Sequence, residues 1–121
     1  MAIKSFEDLE VYQLSYQLAM EIFQMSRKFP SEEKFSLTSQ VIKSSRSVCA
    51  NIAEGWGKRV YEKKLKNHLI DANGSLDETK SWLAFAKDCG YIDKEEYQDK
   101  LDKAKHVGSK LYNLHDNWRT F

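Results

Sequence analysis

A chain of 121 residues, 41% hydrophobic and 31% charged, is long enough to bury one core and too short to divide into two domains. One proline and five glycines exclude a hairpin-rich β-protein, which needs turn residues every few positions. Nineteen Lys and Arg against eighteen Asp and Glu leave a net charge of +1, so no global field draws in nucleic acid or an acidic membrane, and any electrostatic partner must be read by a local patch.

The chain opens on Met1-Ala2-Ile3-Lys4 and passes directly into an amphipathic pattern rather than a signal-peptide core. Ser5, with Glu7 and Asp8 behind it, predicts a helix start whose first turn carries the negative charge that a helix dipole favours. This helix is expected to run to about Phe29, with Leu9, Tyr12, Tyr16, Ala19 and Phe23 as its seam and Val11, Leu18, Ile22, Met25 and Phe29 widening the stripe. Pro30 stops it. Ser36 is expected to cap a second helix that carries Leu37, Val41, Val48 and Ile52 inward, and Gly55-Trp56-Gly57 ends or bends that helix.

The third helix has the clearest pattern: Leu65, Leu69, Ala72, Leu76, Thr79, Leu83 and Ala86 fall on one face, and Gly90 supplies the breaker. Asp93 and Glu96 form a capping-box variant at the start of a fourth helix. Its inward set is Tyr97, Leu101, Ala104, Gly108, Leu111 and Trp118, extended by Val107, Leu114 and Phe121. Short connections favour antiparallel neighbours, so the expected fold is all-α: an antiparallel up-and-down four-helix bundle spanning residues 1–121 as one domain.

A catalytic apparatus is not expected. No glutamate stands three residues before His68, His106 or His115, so the paired Glu-x-x-His set of a di-iron bundle is missing, and His68 and His115 read as hydrogen-bonded core or boundary residues. Ser36, Ser39, Ser44, Ser45 and Ser47 lie outside any nucleophile elbow and suit close helix packing. Gly55-Trp56-Gly57 lacks the context of a phosphate loop. Cys49 and Cys89 read as packing residues of a protein kept in a reducing compartment. No uncharged apolar run approaches the ~20 residues needed to span a bilayer, so a cytoplasmic protein with no membrane partner, no cofactor and no metal is expected.

Two features stand out from the periodicity. Glu54 falls in a last helical turn, where the dipole disfavours an acid, so with Asn51 it either pins the helix exit to a neighbour or meets a ligand. Gly74, followed by Ser75, sits in mid-helix at a cost of about 1 kcal/mol relative to alanine, which close packing within the chain or across a subunit contact would offset. Beside them runs a local patch of Lys58, Arg59, Lys63, Lys64 and Lys66 against Glu62 alone, with Arg59, Lys63 and Lys66 on one face of the third helix. Lys43 and Arg46 on helix two extend it if the faces adjoin. Such a run is a solvated face or a nucleic-acid site, and Trp56 beside it either packs on a neighbour or stacks on a base.

The order Phe6-Glu7-Asp8-Leu9, Phe29-Pro30 with Glu33, Leu37 to Gln40, Arg46-Ser47 leading to Asn51-Ile52-Ala53-Glu54-Gly55, Ala72 to Glu78, and Gly90-Tyr91-Ile92 resembles the bacterial four-helix bundle proteins encoded by intervening sequences of 23S ribosomal RNA genes. Asn51, Glu54, Gly55, Gly74, Ser75 and Glu78 carry the most specific part of that resemblance. It implies a bundle that assembles as a homopentamer and associates with RNA or a ribonucleoprotein. A distantly related group, the accessory proteins of diversity-generating retroelements, implies nucleic-acid contact through basic surfaces. The expected function is therefore a non-enzymatic oligomeric module with Lys43, Arg46, Lys58, Arg59, Lys63 and Lys66 on phosphate. The alternative is a protein-interaction scaffold with no direct nucleic-acid contact.

Overall fold

The computed structural model describes residues 3–119. Phe121, expected on the inward face of the last helix, lies outside them. Four long helices make up the fold: α1 (Glu10–Ser26), α2 (Leu37–Gly57), α3 (Glu62–Asp88) and α4 (Lys94–Asn117).

Ser5 caps a helix start, but a shorter one than expected. Its hydroxyl accepts from Glu7 N at 3.3 Å, while Asp8 Oδ2 accepts from Ser5 N at 3.1 Å, and the resulting 3-10 turn covers only Phe6–Asp8. Leu9 then turns extended, with ψ of 127°, before α1 begins. Three more ends have chemical causes. At α2 the Ser36 side chain makes no cap; Glu33 Oε1 takes that place, accepting from Ser36 Oγ at 2.7 Å and from Leu37 N at 3.3 Å. At the end of α3, Gly90 adopts φ of +80°, which lets Tyr91 N reach Ala86 O at 2.9 Å and Gly90 N reach Lys87 O at 3.0 Å, satisfying two of the last carbonyls. Asp93 caps α4 by accepting from Glu96 N at 2.8 Å.

Cross-helix partners fix the topology. Glu10 and Glu21 on α1 pair with Lys110 and Lys103 on α4. Ser44, Ser47 and Asn51 on α2 meet Thr79, Ser75 and His68 on α3. Leu76 on α3 lies against Gly108 on α4, and Lys87 against Tyr97. In each set the numbers rise along one helix as they fall along the other, so neighbours run antiparallel. The α2–α3 contact is the most extensive and α1–α4 the least.

The α3 seam is buried from Leu65 to Ala86. On α2 the expected Leu37, Val41, Val48 and Ile52 are buried, whereas the α1 and α4 seams turn relative to the expected ones. On α1 the buried line is Val11, Ser15, Leu18, Ile22 and Met25, with the expected Ala19 buried beside it, whereas Tyr16 is 53% exposed and Tyr12 and Phe23 are half-buried along the α1–α2 groove. On α4 the buried line is Lys100, Ala104, Val107 and Leu111, with Tyr97, Leu101, Gly108, Leu114 and Trp118 half-buried beside it. A bundle helix touches two neighbours, so its deepest line bisects a broad apolar arc, and bulky aromatics at the arc's edges do not mark it. Cys49 is buried, but Cys89, expected to pack, is exposed at the end of α3. Among the described residues no helix is long and apolar enough to cross a membrane.

Candidate nucleic-acid interface

The exit of α2 is held to α3 by a chain of polar contacts. Asn51 Nδ2 donates to Ser47 O at 3.0 Å, which directs Oδ1 toward His68 Nδ1 at 3.1 Å. His68 therefore donates from Nδ1, and its Nε2 accepts from Lys58 Nζ at 3.2 Å. Lys58 also donates to Glu54 Oε2 at 2.9 Å, and that hydrogen bond holds the Glu54 carboxyl below the usual range. Glu54 thus has the cationic partner that its position in the last turn of α2 calls for. The backbones come close here: a Cβ on Gly55 would lie 2.9 Å from His68 Cβ and 3.2 Å from Leu65 Cδ1.

Gly74 is different. It is exposed, and a Cβ there would meet nothing within 4 Å. The close packing within the chain expected of it belongs to Gly55, because the α2–α3 register turns Ser75, not Gly74, toward α2. Ser75 Oγ meets Ser47 Oγ at 2.8 Å, and one turn on, the Thr79 and Ser44 hydroxyls meet at 2.8 Å. Glu78 stands exposed on the outer face.

The six expected phosphate-contacting residues do not form one surface. Arg46 lies toward α1, with its guanidinium 5.5 Å from the Phe23 ring. Lys43 is exposed on α2 near the level of Thr79, since Ser44 is that residue's partner. Lys63 and Lys66 sit more than a dozen residues back along α3, about 20 Å at 1.5 Å per residue. Arg59 precedes α3 rather than sharing a face of it, and stacks 4.2 Å over the Trp56 ring. Trp56 is 9% exposed and packs edge-on against Trp118, so it is a packing residue and not a platform for a base.

What the structure does bring together is the α2–α3 turn and the first turn of α3. Residues 58–66 hold Lys58, Arg59, Lys63, Lys64 and Lys66 against Glu62. Lys66 pairs with Glu62 at 3.4 Å, while neither Lys63 nor Lys64 has an ion-pair partner among the described residues. The opposite end, residues 88–99, carries Asp88, Asp93, Glu95, Glu96 and Asp99 against Lys94. The net charge of +1 hides a basic run at the α2–α3 turn and an acidic run at the α3–α4 turn, although Glu7, Asp8, Glu10 and Glu54 share the first end and Arg27, Lys28 and Lys34 the second.

One charged cluster escaped the sequence reading. Lys100 is 8% exposed on the inner face of α4, where it meets Asp99 at 2.9 Å and Glu21 at 3.5 Å. Lys103 meets Glu21 at 2.6 Å. These pairs close the α1–α4 seam beside a cavity of 270 Å³ lined by Leu14, Leu18 and Val107. A broader groove of 430 Å³ runs between α1 and α2, past Tyr12, Tyr16, Met20, Ala50 and Ala53. Among the described residues no three His, Cys, Asp or Glu side chains are grouped to hold a metal ion.

The fold and this local charge define a four-helix bundle whose α2–α3 turn forms a basic tip. The family model for 23S rRNA-intervening sequence proteins matches residues 7–113, and the chain belongs to that family. A crystal structure of a protein of unknown function from the S23 ribosomal protein family of Bacteroides thetaiotaomicron is similar in fold, with a TM-score of 0.80 and 24% identity over 88% of this chain and 96% of that one. No curated protein matches the chain.

Proposed function

We propose that the protein is a non-enzymatic, oligomeric, cytoplasmic module that binds RNA, or a ribonucleoprotein through its RNA, with the basic tip formed by Lys58, Arg59, Lys63 and Lys66. The run of five cations against Glu62 over residues 58–66 of a nearly neutral chain carries this reading. Lys63 and Lys64 commit no charge to ion pairs among the described residues, which leaves both for phosphate. The family's name refers to an intervening sequence of 23S rRNA and fits an RNA-associated role. Free thiols at Cys49 and Cys89 suit a reducing compartment.

Self-assembly is part of the proposal. Tyr16, Met20, Ile70, Phe85 and Tyr112 are large apolar side chains each more than 40% exposed, and Gly74 leaves open space on the same helix as two of them. Several tips in one assembly, a homopentamer as the resemblance implies, multiply a modest affinity for one polyanion. The test is binding of a structured RNA across a salt series, with the mass in solution measured alongside. Affinity should fall steeply as salt rises, and Lys63→Ala with Lys66→Ala should flatten that slope; no binding at low ionic strength overturns the reading.

The apolar α1–α2 groove favours a second reading, a protein-interaction scaffold without nucleic-acid contact. Partners that survive nuclease treatment in a pull-down would support it over the first.

A further inference from the structure

Val60 and Tyr61 join α2 to α3 at the centre of the basic tip, and neither is explained by the fold. They are 70% and 63% exposed, so they bury little against the core. Tyr61 is also the N-cap of α3, where its side chain makes no capping hydrogen bond. Serine, asparagine or aspartate would be the better residue there, because a side-chain oxygen would satisfy a first-turn N–H. An aromatic ring instead stands in water with Lys64 Nζ 5.1 Å from its centroid and Lys63 beside it in sequence.

An exposed ring set among lysines matches the two needs of an unpaired nucleotide, a surface for the base and a charge for the backbone. A duplex meets only the second need, since its bases are already stacked inside. Trp56 cannot supply the ring, being covered by Arg59 on one side and Trp118 on another. We infer that Tyr61 is a stacking platform for an unpaired base of single-stranded RNA, whose phosphates lie on Lys63 and Lys64. The inference rests on the RNA-binding reading and narrows it to strands with unpaired bases.

The test uses the full chain, a labelled oligouridylate and a blunt RNA duplex with the same number of phosphates, titrated at several salt concentrations. The single strand should bind more tightly at matched salt. Tyr61→Ala should weaken that binding roughly 5- to 100-fold while leaving the duplex and the salt slope unchanged. Tyr61→Phe should retain binding, and Lys63→Ala with Lys64→Ala should flatten the slope for both RNAs. Equal binding of both RNAs with no effect of Tyr61→Ala overturns the stacking role and leaves the RNA-binding reading in place. Failure of both RNAs to bind at low salt overturns both. Retention on anionic lipid vesicles with no preference for the single strand assigns the exposed pair to a membrane surface and overturns the inference.

Discussion

Tyr91, just past α3, donates its hydroxyl to Glu33 Oε2 at 2.7 Å, while the other oxygen of the same carboxylate caps α2. One side chain thus fastens the α1–α2 and α3–α4 connections together. The Ser36 hydrogen bond first, then that of Tyr91, holds the Glu33 carboxyl below its ordinary value of 4.5. A lowered carboxyl contributes stability above the unfolded value and loses it as pH falls through the folded one. Urea midpoints should therefore fall more steeply below about pH 4.5 in the parent than in Glu33→Gln. The same bond pushes Tyr91 up to about 12 from 10.0, so its contribution is complete below pH 10 and is lost as pH rises toward 12. Tyr91→Phe should remove that alkaline loss.

Gly55 and Gly74 should respond oppositely to alanine. Gly55→Ala forces a Cβ against His68 and Leu65 and should cost about 1–3 kcal/mol, as overpacking does. Gly74→Ala meets open space and should stabilise the subunit by about 0.5–1 kcal/mol through helix propensity. Chemical denaturation of both variants measures each sign. If the face around Gly74 joins a second copy, Gly74→Ala should also lower the mass in solution.

Thr79→Val should remove the hydroxyl that donates to the buried Ser44 Oγ at 2.8 Å, leaving Ser44 only its longer bond to Val41 O at 3.4 Å, at about 1–2 kcal/mol. Adding Ser44→Ala should recover part of that loss, because removing both partners of a buried hydrogen bond costs less than removing one. A double-mutant cycle by denaturation measures the coupling.

The thiols should separate by reactivity. Burial pushes Cys49 up to about 11, so little thiolate forms near neutrality, whereas Cys89 is exposed. A colorimetric thiol titration at pH 8 should count one fast cysteine in the native protein and both in denaturant.

Legibility in the sequence followed the physics of each face. The α3 line was readable because aliphatic residues lie on its deepest strip with polar residues to either side. On α1 the tyrosines misled, since a half-buried ring at a groove edge and a core residue carry the same hydrophobic label. The choice between Gly55 and Gly74 depended on the rotation of α3 against α2, which the Ser44–Thr79 and Ser47–Ser75 pairs fix across 35 and 28 residues of chain, and no local window contains that information. Lys100 hid for a related reason: only folding brings Glu21 from the far end of the chain to compensate its burial. The basic run from Lys58 to Lys66 was visible directly, but its separation from Lys43 and Arg46 was not.

The opposed charges of the two turns act separately. Residues 58–66 and 88–99 lie at the two ends of α3, about 40 Å apart. The Debye length of ~10 Å at 0.1 M salt is far shorter than that span, so a polyanion docking on the basic turn scarcely feels the acidic one. Capture and orientation are then decided within the last ~10 Å of approach by the cations of the basic turn alone. Reversing charges at the distant acidic turn should leave both the association rate and the lifetime of the complex unchanged at about 0.1 M salt, whereas neutralising Lys63 and Lys64 should slow association.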